Sequence, residues 1–167
     1  MELWDLYTRD RFPTGETHIR GEKLPQERYH LVVHVWIKNS HGKWLISQRA
    51  ASRPTFPLKW ECVGGSVTAG EDSLPGAIRE AKEEVGVDLD PAQGMLVCST
   101  VREHFHDIKD DWVFVYDGEI DLRKATTDEV ADIRWMTVEE IRQLYDAGEL
   151  VHTLGYFFDA PELGGQA

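Results

Sequence analysis

The sequence predicts an α/β domain in which a mixed β-sheet is sandwiched between helices. Three observations lead to this prediction. Several segments are rich in β-branched and aromatic residues. One segment carries apolar residues at helical spacing, and another opens with the pattern of a capping box. The 167 residues of the chain suffice for one core but hardly for two. We therefore expect one domain over residues 1–167, with residues 1–28 as an N-terminal hairpin extension and residues 161–167 as a frayed tail.

Strand patterns fill the N-terminal part of the chain. Residues 7–18 suggest a β-hairpin that turns at residues 12–15, Phe-Pro-Thr-Gly, and covers one edge of the domain. Residues 30–38 (HLVVHVWIK) and residues 43–48 (KWLISQ) are strand-like. The turn residues between them predict that these two strands pair antiparallel.

A helix is expected after the glycine pair Gly64-Gly65. Residues 53–60 contain two prolines and predict an extended loop that leads towards these glycines. Ser73 can cap the helix, Pro75 suits its first turn and Gly86 suits its end. Apolar residues recur at helical spacing between these signals, namely Leu74, Ile78, Ala81 and Val85.

The C-terminal half continues the alternation. Three further segments have strand patterns: residues 95–106, 112–120 and 133–136. The acidic residues 107–111 are predicted to form the turn between the first two of them. Residues 137–140, Thr-Val-Glu-Glu, have the pattern of a capping box, which predicts a second helix over residues 138–147.

The charge of the chain restricts its partners. Eighteen Lys and Arg residues stand against 30 Asp and Glu residues, which gives a net charge of -12. This balance opposes binding to polymeric nucleic acid, whose affinity comes largely from basic contacts with phosphate. An anionic small molecule would need a divalent cation to offset its repulsion from such a protein.

Cysteine content and hydropathy indicate the compartment. Cys62 and Cys98 are the only cysteines, and they lack the spacing of a metal site, so we expect free buried thiols. The N-terminus has no signal-peptide pattern, and no apolar run has the length that spans a bilayer. The expectation is a cytoplasmic protein with no membrane partner.

Three glutamates crowd one surface of the predicted helix. Glu80, Glu83 and Glu84 fall within roughly 100° of one another around the helix axis, apart from the apolar face. Hard cations such as Mg²⁺ favour carboxylate and carbonyl oxygens, and the glycine pair before the helix can add a carbonyl. A solvated acidic helix face shows the same pattern, so the glutamates alone leave both interpretations open.

The spacing around these glutamates resembles the Nudix signature. That signature is Gly, five residues, Glu, seven residues, Arg-Glu-aliphatic, one residue, Glu-Glu, one residue and Gly-aliphatic. At the aliphatic position after Arg-Glu this chain has the small residue Ala81, where a larger aliphatic residue is commoner. The matching residues are Gly65, Glu71, Arg79, Glu80, Ala81, Glu83, Glu84, Gly86 and Val87.

The resemblance implies a Nudix fold and a divalent-metal-dependent hydrolase that cleaves a diphosphate linkage in a nucleotide or related small molecule. The implied ligands of Mg²⁺ or Mn²⁺ are Gly64, through its carbonyl, and Glu80, Glu83 and Glu84. The positions implied to be structural are Gly65, Glu71, Arg79 and Gly86, with Glu71 and Arg79 bracing the loop and the helix. The fold is also compatible with a homodimer.

The general base is an open question at the level of sequence. Glu83 and Glu84 are catalytic candidates within the motif, and many family members supply a further carboxylate from a later loop. Glu129 is our candidate because it stands six residues before Trp135, a spacing that some family members share. An exposed acid in a charged stretch is the alternative interpretation. Three other candidates are Glu103, Asp107 and Asp111.

A second resemblance concerns residues 30–60, which look like the segment before the active site of isopentenyl diphosphate isomerases of the same fold. Arg49 and Arg53 match diphosphate-binding positions of those enzymes, although solvated arginines are the alternative, and His30 matches a metal-binding histidine. The isomerases' catalytic Cys and the following Gly-His-Pro are absent near Gly64-Gly65. The glutamate motif therefore favours a hydrolase over its alternatives, an isomerase-like enzyme or a non-catalytic nucleotide-binding sensor.

Overall fold

A computed structural model describes residues 1–165 as a mixed seven-stranded sheet with a separate two-stranded hairpin. The strands are β1 (Leu3–Tyr7), β2 (Pro13–Ile19), β3 (His30–Lys38), β4 (Trp44–Arg49), β5 (Trp60–Glu61), β6 (Val63–Ser66), β7 (Gly94–Arg102), β8 (Asp107–Val115) and β9 (Val130–Met136). The α-helices are α1 (Ser73–Val85) and α2 (Val138–Asp146). Short 3₁₀ segments span Pro91–Gln93, Glu103–Phe105, Leu122–Lys124 and His152–Phe158. None of the helices within these residues is long and apolar enough to cross a membrane.

The centre of the sheet is a parallel pair of strands. β3 and β8 run side by side, from His30 opposite Asp107 to Lys38 opposite Val115. The strand order is β5-β4-β3-β8-β7, while β6 pairs with β3 and β9 with β4. β3 and β4 are antiparallel as predicted, but they pair only at Lys38 and Trp44. Beyond that point β4 pairs with β5 and β9, and β3 pairs with β6.

Alternation along β3 supplies two hydrophobic clusters, because successive side chains of a strand point to opposite faces of the sheet. The first cluster joins β3 to α1 and includes Val33, Val35, Ile37, Ala77, Ala81 and Val85. The second joins the sheet to α2 and the C-terminal 3₁₀ segment and includes Trp36, Trp44, Ile46, Ile141, Leu154 and Phe157. The predicted α/β class is therefore confirmed.

The N-terminal hairpin is present, but its turn lies earlier than predicted. β1 and β2 pair antiparallel, and residues 13–15 belong to β2 rather than to the turn. The turn is closed by backbone hydrogen bonds from Thr8 N–H to the Phe12 carbonyl at 2.9 Å and from Arg11 N–H to the Thr8 carbonyl at 3.0 Å. Arg11, which lies in the turn, takes a positive φ of 66°.

The predicted acidic turn at residues 107–111 is wrong. These residues form the first half of β8, and the reversal occurs earlier, through the 3₁₀ segment Glu103–Phe105 and His106 at a φ of 54°. The preceding strand, predicted to reach residue 106, ends at Arg102, and the strand predicted over residues 112–120 ends at Val115.

Ion pairs explain how an acidic sequence occupies a central strand. Arg102 pairs with Asp107 at 2.6 Å, and Lys109 pairs with Asp111 at 2.8 Å. Arg11 holds both oxygens of the buried Asp110, each at 2.7 Å. Ion pairs and hydrogen bonds offset the cost of burying a carboxylate, which is large for an unpaired one.

The two helix starts illustrate different capping chemistry. α1 is capped by Asp72, not Ser73, and the Asp72 carboxylate accepts a hydrogen bond from the Ser73 N–H at 2.7 Å. The Ser73 hydroxyl instead accepts a hydrogen bond from the Trp112 indole at 2.8 Å. The capping box between Thr137 and Glu140 is present as predicted.

Two predictions about burial were wrong. The tail was expected to fray from residue 161, but Leu163 is buried in the second cluster and the Gly164 N–H donates to the Phe157 carbonyl at 2.9 Å. Residues 166–167, which the same prediction covered, lie outside the described part of the chain. Cys62 is buried as expected, but Cys98 is exposed because β7 lies at the edge of the sheet.

We predict that Arg11→Gln destabilises the protein by about 1–3 kcal/mol, because it leaves the buried Asp110 carboxylate without its charged partner. Burial alone would raise the pKa of Asp110, but hydrogen bonds from Arg11, Ser73 and Ser99 lower it overall. A depressed pKa stabilises the fold above the unfolded value of about 4, and this stabilisation is lost as the pH falls through the folded value. The difference between wild type and variant should therefore shrink at acid pH.

Denaturant unfolding at pH 7 and pH 3 would measure this difference. The matched control is Arg9→Gln in the same turn, whose partner Glu103 is exposed, with side-chain exposures of 64% and 56% for the pair. Its loss should destabilise the protein much less, because solvent screens an exposed ion pair. Equal losses for the two variants at pH 7 would contradict the prediction.

Candidate functional site

A polar cavity of about 190 Å³ brings the predicted site residues together. It lies where α1 meets β6, and the loops before β5 and β9 form another part of its wall. The lining residues are Glu2, Arg20, Arg49, Arg53, Gly64, Gly65, Ser66, Arg79, Glu80, Glu83, Glu84, Thr127 and Glu129. A cavity of about 580 Å³ lies elsewhere, and one of about 620 Å³ adjoins the polar cavity at Arg79 and Glu83. Both are largely apolar, so the chemistry of the lining, not the size, identifies the candidate site.

The glycine pair permits a close approach between β6 and α1. A Cβ atom on Gly65 would lie 2.5 Å from the Cδ atom of Glu80, and one on Gly64 would lie 2.5 Å from the Val33 carbonyl oxygen. Real side chains do not tolerate such distances. The Gly64 N–H donates a hydrogen bond of 3.2 Å to the Glu84 carboxylate. The two glycines therefore let the carboxylates of α1 reach the backbone of β6.

Arg79 connects the loop, the strand and the helix of the site. Its guanidinium donates to both oxygens of Glu71 at 3.0 to 3.2 Å and to the Ser66 carbonyl at 3.0 Å. It also donates to Glu80 at 2.8 Å and to Glu83 at 3.0 Å. Burial by itself would lower the pKa of Arg79, but these carboxylates raise it overall. The Glu71–Arg79 pair thus lies where a brace between loop and helix is expected.

Two of the three motif glutamates are buried. Burial raises the pKa of Glu84 well above its usual range; the charges of Glu80 and Glu61 add to this effect, and the hydrogen bond from Gly64 opposes it. Burial also raises the pKa of Glu80, and the charge of Arg79 opposes that shift. Carboxylates held at a cavity wall with so few donors would be stabilised by an added cation.

The donor set fits a hard divalent cation. Glu80, Glu83 and Glu84 present carboxylate oxygens to one cavity, and Mg²⁺ and Mn²⁺ prefer oxygen ligands. Among residues 1–165, however, no three His, Cys, Asp or Glu side chains already converge on one point as a metal site. The Glu83 carboxylate instead accepts a hydrogen bond from Arg79 at 3.0 Å. Loading with metal would require this carboxylate to reorient.

The predicted phosphate-binding arginines line the cavity but are paired with other groups. Arg53 contacts Glu129 at 2.6 Å. Arg49 donates to the Glu61 carboxylate at 2.7 Å and to the Thr55 carbonyl at 2.9 Å. Each arginine therefore shares its charge with a neighbouring carboxylate.

Glu129 differs from the other candidate bases by its position. It lines the cavity, whereas Glu103, Asp107 and Asp111 do not. Glu103 binds Arg9 and Tyr29, and the two aspartates belong to the ion pairs of β8. His30 also lies outside the cavity, stacked on Trp4 with 4.0 Å between ring centroids, and burial lowers its pKa to about 4.

Sequence reasoning missed several lining residues. Glu2 and Arg20 reach the cavity from the ends of the N-terminal hairpin, far from the motif in sequence. Thr127 lines it as well, and its hydroxyl donates to the Glu83 carbonyl at 3.1 Å. These residues belong to no recognisable spacing pattern, because their contacts arise only when distant segments pack together.

Comparison with known proteins agrees with this geometry. The model of the NUDIX domain family matches residues 28–154. An uncharacterised Nudix hydrolase of Listeria innocua is 40% identical over 160 residues, which cover 95% of this chain and 91% of the relative. An isopentenyl-diphosphate Delta-isomerase of Escherichia coli is 30% identical over 84 residues, which cover 50% of this chain and 46% of the isomerase.

Solved structures share the fold. A Deinococcus radiodurans protein superposes with a TM-score of 0.72 at 24% identity, covering 90% of this chain and 92% of the other. The NUDIX domain of a Shewanella oneidensis protein, solved with ADP ribose, gives 0.55 at 18% identity over 68% and 75% of the two chains. A bifunctional Francisella tularensis NMN adenylyltransferase/ADP ribose pyrophosphatase, solved with AMP and a Mn ion, gives 0.55 at 20% identity over 74% and 38%.

We predict that Gly65→Ala destabilises the protein by about 0.5–1.5 kcal/mol, because the added methyl group would push the end of the flexible Glu80 side chain away from Arg79. The double variant Gly65→Ala/Glu80→Ala removes the overlapping group. Gly65→Ala should therefore cost much less in the Glu80→Ala background than in the wild type. Thermal unfolding of the four proteins gives this coupling, and equal costs in both backgrounds would show that the contact does not set the need for glycine.

Proposed function

This chain belongs to the Nudix family, and from that premise we propose that it is a divalent-metal-dependent hydrolase that cleaves a diphosphate linkage in a nucleotide or related small molecule. Nudix hydrolases in general cleave diphosphate bonds in compounds of the nucleotide type. The observation that carries the proposal is that one cavity combines the carboxylates of α1 with Arg49 and Arg53. Groups suited to a metal and groups suited to phosphate therefore meet at the same place.

Mg²⁺ or Mn²⁺ is the proposed cofactor, held by Glu80, Glu83, Glu84 and the Gly64 carbonyl. When bound, such an ion neutralises phosphate oxygens and lowers the pKa of coordinated water. The burial of Glu80 and Glu84 supports this assignment. Glu84 has no ion pair within residues 1–165, and Glu80 shares Arg79 with Glu71 and Glu83, so a cation would add positive charge beside both carboxylates. The Francisella neighbour solved with a Mn ion supports it by analogy of fold.

The residues of the chain would orient the substrate and accept a proton. Hydrolysis of the diphosphate needs a water molecule to lose a proton as it attacks phosphorus. Glu83 and Glu129 are the proposed proton acceptors, because both line the cavity and are partly exposed. Glu84 is buried and bonded to Gly64, so its proposed contribution is to hold the metal rather than to exchange protons with solvent.

The proposed substrates are small molecules rather than polymers. The net charge of -12 opposes binding of a nucleic acid chain, and the Shewanella neighbour was solved with ADP ribose. We propose a nucleoside diphosphate linked to another group as the substrate class. We further propose that residues 1–167 act as one Nudix domain in the cytoplasm, with residues 1–28 as its extension.

The isomerase alternative is not favoured by the site. Isomerisation requires a proton donor and a proton acceptor across an alkene. Gly64, Gly65, Ser66 and Val67 stand where the isomerases carry their Cys and His, and Cys62 is buried in the second hydrophobic cluster. Burial raises the pKa of the Cys62 thiol well above its usual range, which disfavours the reactive thiolate.

We predict that Glu83→Gln and Glu84→Gln each lower kcat at saturating Mg²⁺ by at least about 100-fold, because each removes a carboxylate from the metal and proton-transfer machinery. Glu139→Gln is the matched control, since Glu139 is an exposed glutamate on α2 and should retain full activity. Circular dichroism should show native folds for all three. Without metal, Glu84→Gln should unfold at the same or a higher temperature than wild type, because it removes a buried charge.

A substrate screen separates the function classes. Release of phosphate or nucleotide would be measured with nucleoside diphosphate sugars, dinucleotides, nucleoside triphosphates and prenyl diphosphates, with and without Mg²⁺. We expect metal-dependent release from at least one nucleotide class. Binding without release would favour the nucleotide-binding sensor, and migration of a double bond in a prenyl diphosphate would favour the isomerase.

A further inference from the structure

The N-terminal hairpin supplies two charged side chains to the candidate site. Arg20 directly follows β2 and Glu2 directly precedes β1, and both line the cavity that holds the α1 glutamates. Both residues precede residue 28, where the match to the family model begins. The hairpin therefore adds groups to the cavity that the Nudix motif does not specify.

One guanidinium nitrogen, Nη1, holds the Arg20 side chain in place. Its Nη1 donates to the Glu2 carboxylate at 2.8 Å, and its backbone N–H donates to the Glu2 carbonyl at 3.0 Å. The other oxygen of Glu2 accepts a hydrogen bond of 2.7 Å from the Trp4 indole, which fixes the Glu2 side chain in turn. Glu2 thus orients Arg20 without occupying the whole guanidinium, which carries five N–H donors.

Arg20 makes fewer side-chain hydrogen bonds than Arg49, another arginine of the cavity wall. Within residues 1–165 Arg20 makes one side-chain hydrogen bond, whereas Arg49 makes three, to Glu61 and Thr55. The exposed fraction of the side chain is 51% for Arg20, 12% for Arg49 and 22% for Arg53. Of the three, Arg20 is therefore the one most available to an incoming anion.

The electrostatics agree with this placement. The hydrogen bond to Glu2 raises the pKa of Arg20, burial opposes the shift, and the charges of Glu2, Glu129 and Glu80 raise it further. Arg20 thus lies within electrostatic range of Glu80 on α1 and of the candidate base Glu129. Its planar fork matches two oxygens of a phosphate group, which a lysine cannot match in the same way.

We propose that Arg20 is a substrate-binding residue that donates hydrogen bonds to non-bridging oxygens of the diphosphate. The N-terminal hairpin thereby takes part in substrate selection. This inference rests on the proposed function, since it assumes that a diphosphate enters the cavity. Glu2 acts as a positioning residue, because it fixes Arg20 through the hydrogen bond at Nη1. The ligand class is a compound with two linked phosphates.

The test compares Arg20→Gln and Arg20→Lys with the wild type. For the best substrate of the screen we expect Arg20→Gln to raise KM about 10-fold, which corresponds to about 1.4 kcal/mol, while kcat changes less than about 3-fold. Arg20→Lys should recover part of the loss, because it restores the charge but not the fork. Calorimetric titration with inorganic pyrophosphate and Mg²⁺ should show the same order of affinities.

The matched control is Arg28→Gln. Arg28 belongs to the same N-terminal extension and pairs with Glu16 at 2.5 Å, but it does not line the cavity. Equal losses of pyrophosphate affinity in Arg28→Gln and Arg20→Gln would reveal a general charge effect and overturn the proposal. Unchanged KM and pyrophosphate affinity in Arg20→Gln would overturn it as well.

Different results would overturn the role of Arg20 and the proposed hydrolase function. If the wild type hydrolyses a diphosphate but Arg20→Gln binds and turns it over normally, the role of Arg20 is wrong and the hydrolase stands. If the wild type releases no product from any substrate, the proposed function fails, and the pyrophosphate titration still decides whether Arg20 binds a diphosphate. A wild type that binds no pyrophosphate with Mg²⁺ would overturn the role of Arg20 directly.

Discussion

The contacts of one guanidinium organise the candidate site. Arg79 joins the loop residue Glu71, the β6 carbonyl of Ser66 and two glutamates of its own helix. Three segments are therefore held in a fixed arrangement by a side chain that cannot lose its charge at neutral pH. The arrangement also has a chemical cost, because the same arginine occupies carboxylates that a metal would use. With the proposed metal bound, the carboxylates would be shared between Arg79 and that metal.

An acidic protein with the proposed anionic substrate would need this balance of charge. The net charge of -12 repels a polyanionic substrate at a distance, yet the cavity wall carries Arg20, Arg49, Arg53 and Arg79. Each of these arginines contacts a carboxylate, which reduces the positive electrostatic potential inside the cavity. A phosphate group that entered with its cations would offer these arginines and carboxylates new partners in place of the present ones.

Much of this site could be predicted from local sequence, and the rest could not. The spacing of Gly65, Glu71, Arg79 and the glutamates predicts α1 and most of the cavity, because motif residues on one strand, loop and helix keep their geometry wherever the unit occurs. The acidic half of β8 was mistaken for a turn, because its neutralising partner Arg11 lies about a hundred residues away in sequence. Glu2 and Arg20 were missed for the same reason: tertiary packing alone brings them to the cavity.

The parallel pairing of β3 with β8 has a consequence for how the chain reaches its native state. The two central strands are distant in sequence, and the glycine strand and the glutamate helix lie between them along the chain. Pairing of such remote segments closes a long loop, and proteins dominated by contacts of this kind fold slowly. The motif segment lies within the loop that this pairing closes. A chain emerging from synthesis therefore cannot complete the central pair around it until the residues of β8, through Val115, are available.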